Sequence, residues 1–226
     1  MNTLPLAGKK IMLDPGHGGR FQGAIGQSGL KEKDVNLDVS LELQEDLVEM
    51  GAEVRLTRST DTEVLPGGSL RDDLQARCTP ANAWPADLFI SVHSNSNTNS
   101  NVNGTEVYHA RNASSRSKVV GRLIHQHMVD ELGLKDNGLR AADFYVLKNT
   151  DMPAVLVETA YISNAGDEAK LGDETFREST AHSIARGVRD YFTLENEIKP
   201  DPPKEGGAGE GDLWAPGDPQ EYLVAA

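Results

Sequence analysis

Asp87-Leu88-Phe89-Ile90-Ser91-Val92-His93-Ser94-Asn95 is the stretch on which the fold turns. Leu88, Phe89, Ile90 and Val92 are apolar on both alternating faces, so the run reads as a strand buried on both sides. Such strands belong to parallel sheets packed between helices. Working outward, Ile11-Met12-Leu13 is a second short strand, ending in Asp14-Pro15-Gly16-His17-Gly18-Gly19, which cannot stay regular. Glu53–Thr57, Thr105–His109, Phe144–Leu147 and Ala154–Val157 are further predicted strands. Between them fall amphipathic stretches. Asp34 is placed to cap a helix through about Met50, with Val35, Val39, Leu43 and Leu47 on one stripe and Gly51 as the stop. Leu70 to about Cys78, Ser114–Leu132 and Thr175–Phe192 are the other predicted helices. This alternation predicts an α/β fold: a mostly parallel twisted sheet flanked by helices on both faces, with the active site at the C-terminal edge of the strands.

Composition narrows the function classes. The chain has 226 residues, with 22 Lys+Arg against 35 Asp+Glu, a net charge of −13 at pH 7. A surface that negative repels phosphate backbones, and the longest basic run is Lys9-Lys10, so no nucleic-acid partner is expected. The single cysteine, Cys78, excludes an internal disulfide and reads as a small buried hydrophobe. No apolar run approaches the roughly 20 residues of a spanning helix, and Met1–Ala7 has no secretion-signal pattern, so a soluble protein without membrane insertion is expected. From Glu195 to Ala226 eight acidic residues accompany five prolines and five glycines. Too few apolar groups remain there to offset the entropy of ordering, which divides the chain into a domain over 1–194 and an acidic Pro/Gly-rich linker or tail over 195–226.

In an open α/β sheet, ligands collect beyond the carboxyl ends of the strands. His17 lies just past the first strand, His93 follows Val92, Glu158 follows Val157, and Glu32 sits in the loop before the Asp34 helix. Two imidazoles and a carboxylate are a ligand set for catalytic zinc, and a second carboxylate can act as base for the fourth ligand, water. Each residue also has a plainer reading. Glu32 within Lys31-Glu32-Lys33-Asp34 fits a solvated charged turn, Glu158 fits a buried salt bridge to an arginine, and His17 fits a turn-stabilising histidine. Shared placement at one sheet edge lifts the set, since four separate plain explanations would otherwise be required, and on spacing and topology alone the metal site and those plain readings stand level. His109, His125, His127 and His182 lack that placement and read as surface or satisfied histidines.

Several motifs then agree in order along the chain. Ile11–Gly19, Gly23-Ala24-Ile25-Gly26, Gly29–Leu37, Ala86–Asn95 and Pro153–Glu158, followed by Ile162-Ser163-Asn164, closely resemble the zinc-dependent N-acetylmuramoyl-L-alanine amidase catalytic domain, type 3, from about Lys9 to Phe192. The resemblance implies that His17, Glu32 and His93 bind one Zn2+ per chain and that Glu158 is the catalytic general base. It implies a peptidoglycan hydrolase, an autolysin or endolysin that cuts the amide between N-acetylmuramic acid and the L-alanine of the stem peptide. The implied partners are the glycan strand and the stem peptide. Some members carry an inhibitory helix near the middle of the domain; here Tyr108-His109-Ala110 leads directly into the Ser114 helix, so no obligatory activator is expected, and a monomer is expected. Action on the bacterial cell wall, outside the cytoplasm, without a signal peptide in this chain, implies delivery by lysis, a holin or a removed leader. Ser94-Asn95-Ser96 and Thr159-Ala160-Tyr161 depart from the family's usual residues at the rim of the site and bear on substrate preference. Two rivals remain: a zinc peptidase or deacetylase acting on other bonds, and a catalytically silent wall-binding domain.

Overall fold

The computed structural model describes residues 4–198. Six strands form one sheet in the order β2-β1-β3-β6-β4-β5, with β1 Lys10–Pro15, β2 Glu53–Leu56, β3 Leu88–Asn95, β4 Thr105–His109, β5 Asp136–Ala141 and β6 Ala154–Tyr161. All neighbours run parallel except β4 against β6, so β4 and β5 run opposite to the other four strands. Helices α1 Glu32–Glu49, α3 Ser115–Leu132 and α6 Glu174–Leu194 pack on one face, over Leu13, Ile90, Val107, Val155 and Val157. Helix α2 Leu70–Ala83 and the four-residue α4 Tyr145–Lys148 cover the other face, over Met12, Phe89 and Leu156. A short α5, Ala165–Leu171, precedes α6. Leu88, Phe89, Ile90 and Val92 are fully buried, each stabilising the fold by roughly 1.5–3 kcal/mol through loss of apolar surface.

Local chemistry explains most boundaries. Ser69 and Asp72 form a reciprocal capping box at the start of α2, and Ser114 accepts from the Ser117 N–H at the start of α3. Gly51, at φ 96°, provides the left-handed turn that stops the chain from continuing α1. Three expectations need correction. Asp34 does not cap α1; the helix begins at Glu32, because the carbonyls of Ala24 and Gln22 accept the N–H groups of Glu32 and Lys33 in place of a side-chain cap. Glu32 is therefore the first residue of the helix rather than part of a loop before it. Phe144–Leu147 is not a strand: Phe144 is the N-cap of α4, and the apolar run is buried as one turn of helix beside α2. The buried strands also run past their expected ends, so His93 and Glu158 lie within β3 and β6.

Of the segment read as a tail, Glu195–Glu197 form one 3-10 turn continuing α6, and Glu195 pairs with Lys9 at 2.6 Å. Residues 199–226 lie outside the described residues. No helix among the described residues is long and apolar enough to cross a membrane. Cys78 is fully buried in α2, and burial pushes its thiol up to about 12. Its labelling by a thiol reagent at pH 8 should therefore track unfolding, with no reaction on the timescale of a free thiol; rapid labelling of the folded protein would contradict this packing.

Candidate metal centre and active site

The site is built where β1 breaks. The Gly16 N–H still donates to the Val92 carbonyl at 2.9 Å, continuing the β1–β3 ladder, and the chain then turns at His17, the one non-glycine residue at positive φ (60°) among the described residues. Two buried arginines hold this turn by its carbonyls. Arg58 donates to the carbonyls of Pro15, Gly16 and Lys33; Arg77 donates to those of Pro15 and His17 while its guanidinium bridges Asp14 and Asp73. A left-handed histidine costs conformational energy, and this ring of charge-assisted bonds offsets it.

Glu32 reaches the turn from the first position of α1, and His93 reaches it from β3. Glu32 Oε1 lies 3.0 Å from His17 Nε2 and 3.0 Å from His93 Nδ1, and the three ligand atoms all fall within 4.8 Å of one another. The imidazoles meet edge-on, with ring centroids 5.0 Å apart. Glu32 Oε1 also accepts from Asn36 Nδ2 and the Ser94 N–H, and Oε2 accepts from the Ala24 N–H. Burial alone would raise the Glu32 carboxyl, but the imidazoles and hydrogen bonds outweigh it and hold the group well below the usual carboxylate range. Burial likewise pushes His93 below the usual histidine value, despite its bond to Glu32, and so favours a neutral ring with a free lone pair.

The donor set fits a zinc ion. Two imidazole nitrogens and one ionised carboxylate oxygen converge, and His17 Nε2, although buried and 3.0 Å from Glu32, makes no hydrogen bond. Two glycines make room for it. A Cβ on Gly16 would stand 2.3 Å from the His93 ring, and one on Gly23 would stand 2.5 Å from Glu32 Oε2. Gly16→Ala should keep the fold, since Gly16 has no positive φ, while displacing His93 and weakening zinc binding by about 10–100-fold. Competition with a chromogenic chelator measures this, and wild-type affinity in the variant would refute the crowding argument.

Glu158 stands beside His93 in the β3–β6 register, with the strands slipping by a bulge immediately after. It is buried, its Oε2 has no hydrogen-bond partner, and no ion pair among the described residues includes it. Burial first, then the neighbouring Glu32 and Glu106 carboxylates, push its carboxyl well above the usual range. The salt-bridge reading of Glu158 and the solvated-turn reading of Glu32 both give way: an arginine does pair with a buried strand glutamate here, but that glutamate is Glu106. The four residues proposed from sequence thus come together. The other histidines bond elsewhere: His109 to the Ala110 carbonyl, His125 to Asp136, His127 to Glu131 and Asp190, and His182 to Asp46.

Sequence reasoning gave no site role to the residues that orient Glu32 and His17, Asn36 being read there as a first-turn helical residue that could simply bond backbone. Asn36 bonds Glu32 from one helical turn on and accepts from Ser94 Oγ, which in turn meets Thr159; the i, i+4 spacing from Glu32 was the available signal. Arg58 had none, because its partners on the turn are backbone carbonyls far away in sequence; for Arg77 only the i, i+4 spacing from Asp73 was a signal, and it does not reveal the contacts to Asp14 and the turn.

An α/β domain whose strand ends gather a buried His–Glu–His donor set, with another carboxylate alongside, has the build of a metal-dependent hydrolase. The chain belongs to the N-acetylmuramoyl-L-alanine amidase family, whose profile matches residues 11–190. It is 40% identical over 189 residues to N-acetylmuramoyl-L-alanine amidase LytC of Bacillus subtilis, covering 83% of this chain and 36% of that protein. The chain thus spans about a third of that relative's length. The catalytic domain of CwlV, an N-acetylmuramoyl-L-alanine amidase from Bacillus (Paenibacillus) polymyxa, is similar at 38% identity with a TM-score of 0.73, over 84% of this chain and 99% of that one. The CwlD amidase of Clostridioides difficile, solved in complex with the GerS lipoprotein, is similar at 28% identity with a TM-score of 0.78, over 82% and 99% of the two chains.

Proposed function

We propose that this chain is a zinc-dependent N-acetylmuramoyl-L-alanine amidase acting on the bacterial cell wall, with residues 1–194 as its catalytic domain. The observation that carries the reading is the convergence of His17, Glu32 and His93 in a domain of this family. His17, Glu32 and His93 would hold the zinc. Bound there, it would polarise the amide carbonyl as a Lewis acid and bring the pKa of a coordinated water towards about 7. Glu158 takes the proton from the attacking water as the C–O bond forms, then delivers it to the L-alanine nitrogen as the C–N bond breaks. The products are a lactyl carboxylate and a free amine. A raised carboxyl pKa suits both halves of that transfer. Asn36, Ser94 and the Ala24 N–H keep Glu32 aimed, and Arg58 and Arg77 keep His17 in its turn.

The chain acts as a monomer without an obligatory activator. The short connection from β4 at His109 to α3 at Ser115 supports the absence of an activator, since it leaves no length for an inserted helix. Mass analysis of peptidoglycan digested by the purified protein tests the whole reading. Intact glycan with free lactyl carboxylates, and stem peptides with free L-alanine amines, are expected, and a chelator should abolish their release. Cleaved cross-links or deacetylated sugars would assign the chain to other bonds, and no product despite bound zinc would favour a silent wall-binding domain. Turnover only after a partner is added would refute the absence of an activator.

A further inference from the structure

Beyond the reacting groups, one row of charge runs across the sheet on the side carried by Leu156 and Phe89. Glu106 lies directly opposite Glu158 in the antiparallel β4–β6 register, so both side chains leave the same face. Glu106 is wholly buried at a strand start, an expensive place for a carboxylate. Its Oε1 accepts from Asn95 Nδ2 at 2.6 Å and from the Tyr161 hydroxyl, and its Oε2 lies 2.6 Å from Arg140 Nε. Arg140, on β5, is half-exposed and also donates from Nε to the Asn137 carbonyl. Its two Nη groups have no partner among the described residues. Three other cations near the centre are held elsewhere: Arg58 and Arg77 by turn carbonyls and buried aspartates, Lys33 by Asp61 and the Gly19 carbonyl.

We propose that Arg140, posted by buried Glu106 beside the reacting carboxylate, binds a carboxylate of the stem peptide on the far side of the scissile amide and so sets substrate preference. This rests on the amidase reading above. An exposed ion pair would ordinarily contribute little, but here one partner is buried and immobile, and the planar guanidinium keeps its outer edge open for a bidentate acceptor. The spacing agrees. Adjacent strands lie about 4.8 Å apart, so β5 stands two strand spacings, about 10 Å, from β6, and the arginine reaches back across part of that distance to Glu106. A peptide extended from Glu158 in that direction advances about 3.5 Å per residue, which brings the second stem residue, about 7 Å along, under the guanidinium. In a domain of net negative charge, with three carboxylates at its centre, an acidic peptide needs such a cation to approach.

The test uses the whole chain loaded with zinc and two muramoyl tripeptides that differ only in a free carboxylate or a carboxamide at the second stem residue. Wild type should prefer the carboxylate by about 10-fold in kcat/KM, mostly through KM, and Arg140→Ala should reduce that ratio to about 1. Glu106→Gln, which loosens the anchor without removing the cation, should give an intermediate ratio, and Arg140→Lys should restore only part of the preference. Cleavage of both substrates by wild type without preference, or a preference that survives Arg140→Ala, overturns the inference and leaves the amidase reading intact. Failure of zinc-loaded wild type to cleave either substrate at the lactyl amide sinks that reading and the inference with it.

Discussion

Glu158→Gln is expected to bind one zinc ion as tightly as wild type while kcat falls by about 10²–10⁴-fold, the range that a positioned general acid–base group supplies. The separation follows from placement. Glu158 lies outside the cluster of three atoms that share a 4.8 Å span, so its loss removes no ligand. The substitution keeps the side chain's shape while removing the group that can shuttle a proton. His93→Ala makes the contrast, since it deletes one of the three donors and should lose metal and turnover together. Metal content by elemental analysis, measured beside product release, distinguishes the two. A Glu158→Gln variant within 10-fold of wild-type turnover would remove Glu158 from the mechanism; one that is folded but metal-free would make it a ligand instead.

Arg77→Met should destabilise the domain by about 3–5 kcal/mol, the cost of stripping one partner from a buried ionic network. Its guanidinium lies 2.9 Å from both Asp14 and Asp73, and all three side chains are almost wholly buried. Methionine fills the volume but leaves two buried carboxylates without their cation and the His17 carbonyl without its side-chain donor. The pH dependence gives a second reading. Burial alone would raise the Asp14 carboxyl, but Arg77, with the Thr57 and Ser91 hydroxyls, holds it below its ordinary value. A depressed folded pKa stabilises the fold above the unfolded value, near 3.9, and that stabilisation is lost as pH falls through the folded value. The gap between wild type and Arg77→Met should therefore be full at pH 7 and narrow towards pH 3. Urea unfolding at the two pH values measures both effects, and a loss below about 1 kcal/mol at pH 7 would mean that the network does not brace the turn.

What the sequence disclosed follows from the range of the forces involved. Ile11–Leu13, Leu88–Val92 and Ala154–Val157 are apolar on both faces, a pattern only a sheet covered on both sides explains, so the architecture and the edge that holds the site were legible. His17, His93 and Glu158 could be placed because each follows such a run. Short elements were not legible: Phe144–Leu147 is too brief for its period to separate one turn of helix from a strand, and Asp136–Ala141 is a half-exposed strand with a mixed pattern. The start of α1 was misplaced because its first N–H groups are satisfied by distant backbone, which no side-chain cap announces. Arg58, Arg77 and Glu106 owe their place in the site to contacts spanning tens of residues, and the one local sign, Asp73 a helical turn before Arg77, does not reveal them.

The strand order has a bearing on how the protein comes into being. β6, residues 154–161, sits between β3 and β4, although it is the last strand to leave the ribosome. Until it emerges, the growing polypeptide holds two unfinished ladders, each with a raw margin of unpaired amides open to a neighbour. A polypeptide cut short before residue 154 would be a sticky half-sheet, and because Glu158 rides on the closing strand, the proposed general base would be withheld until that strand is made.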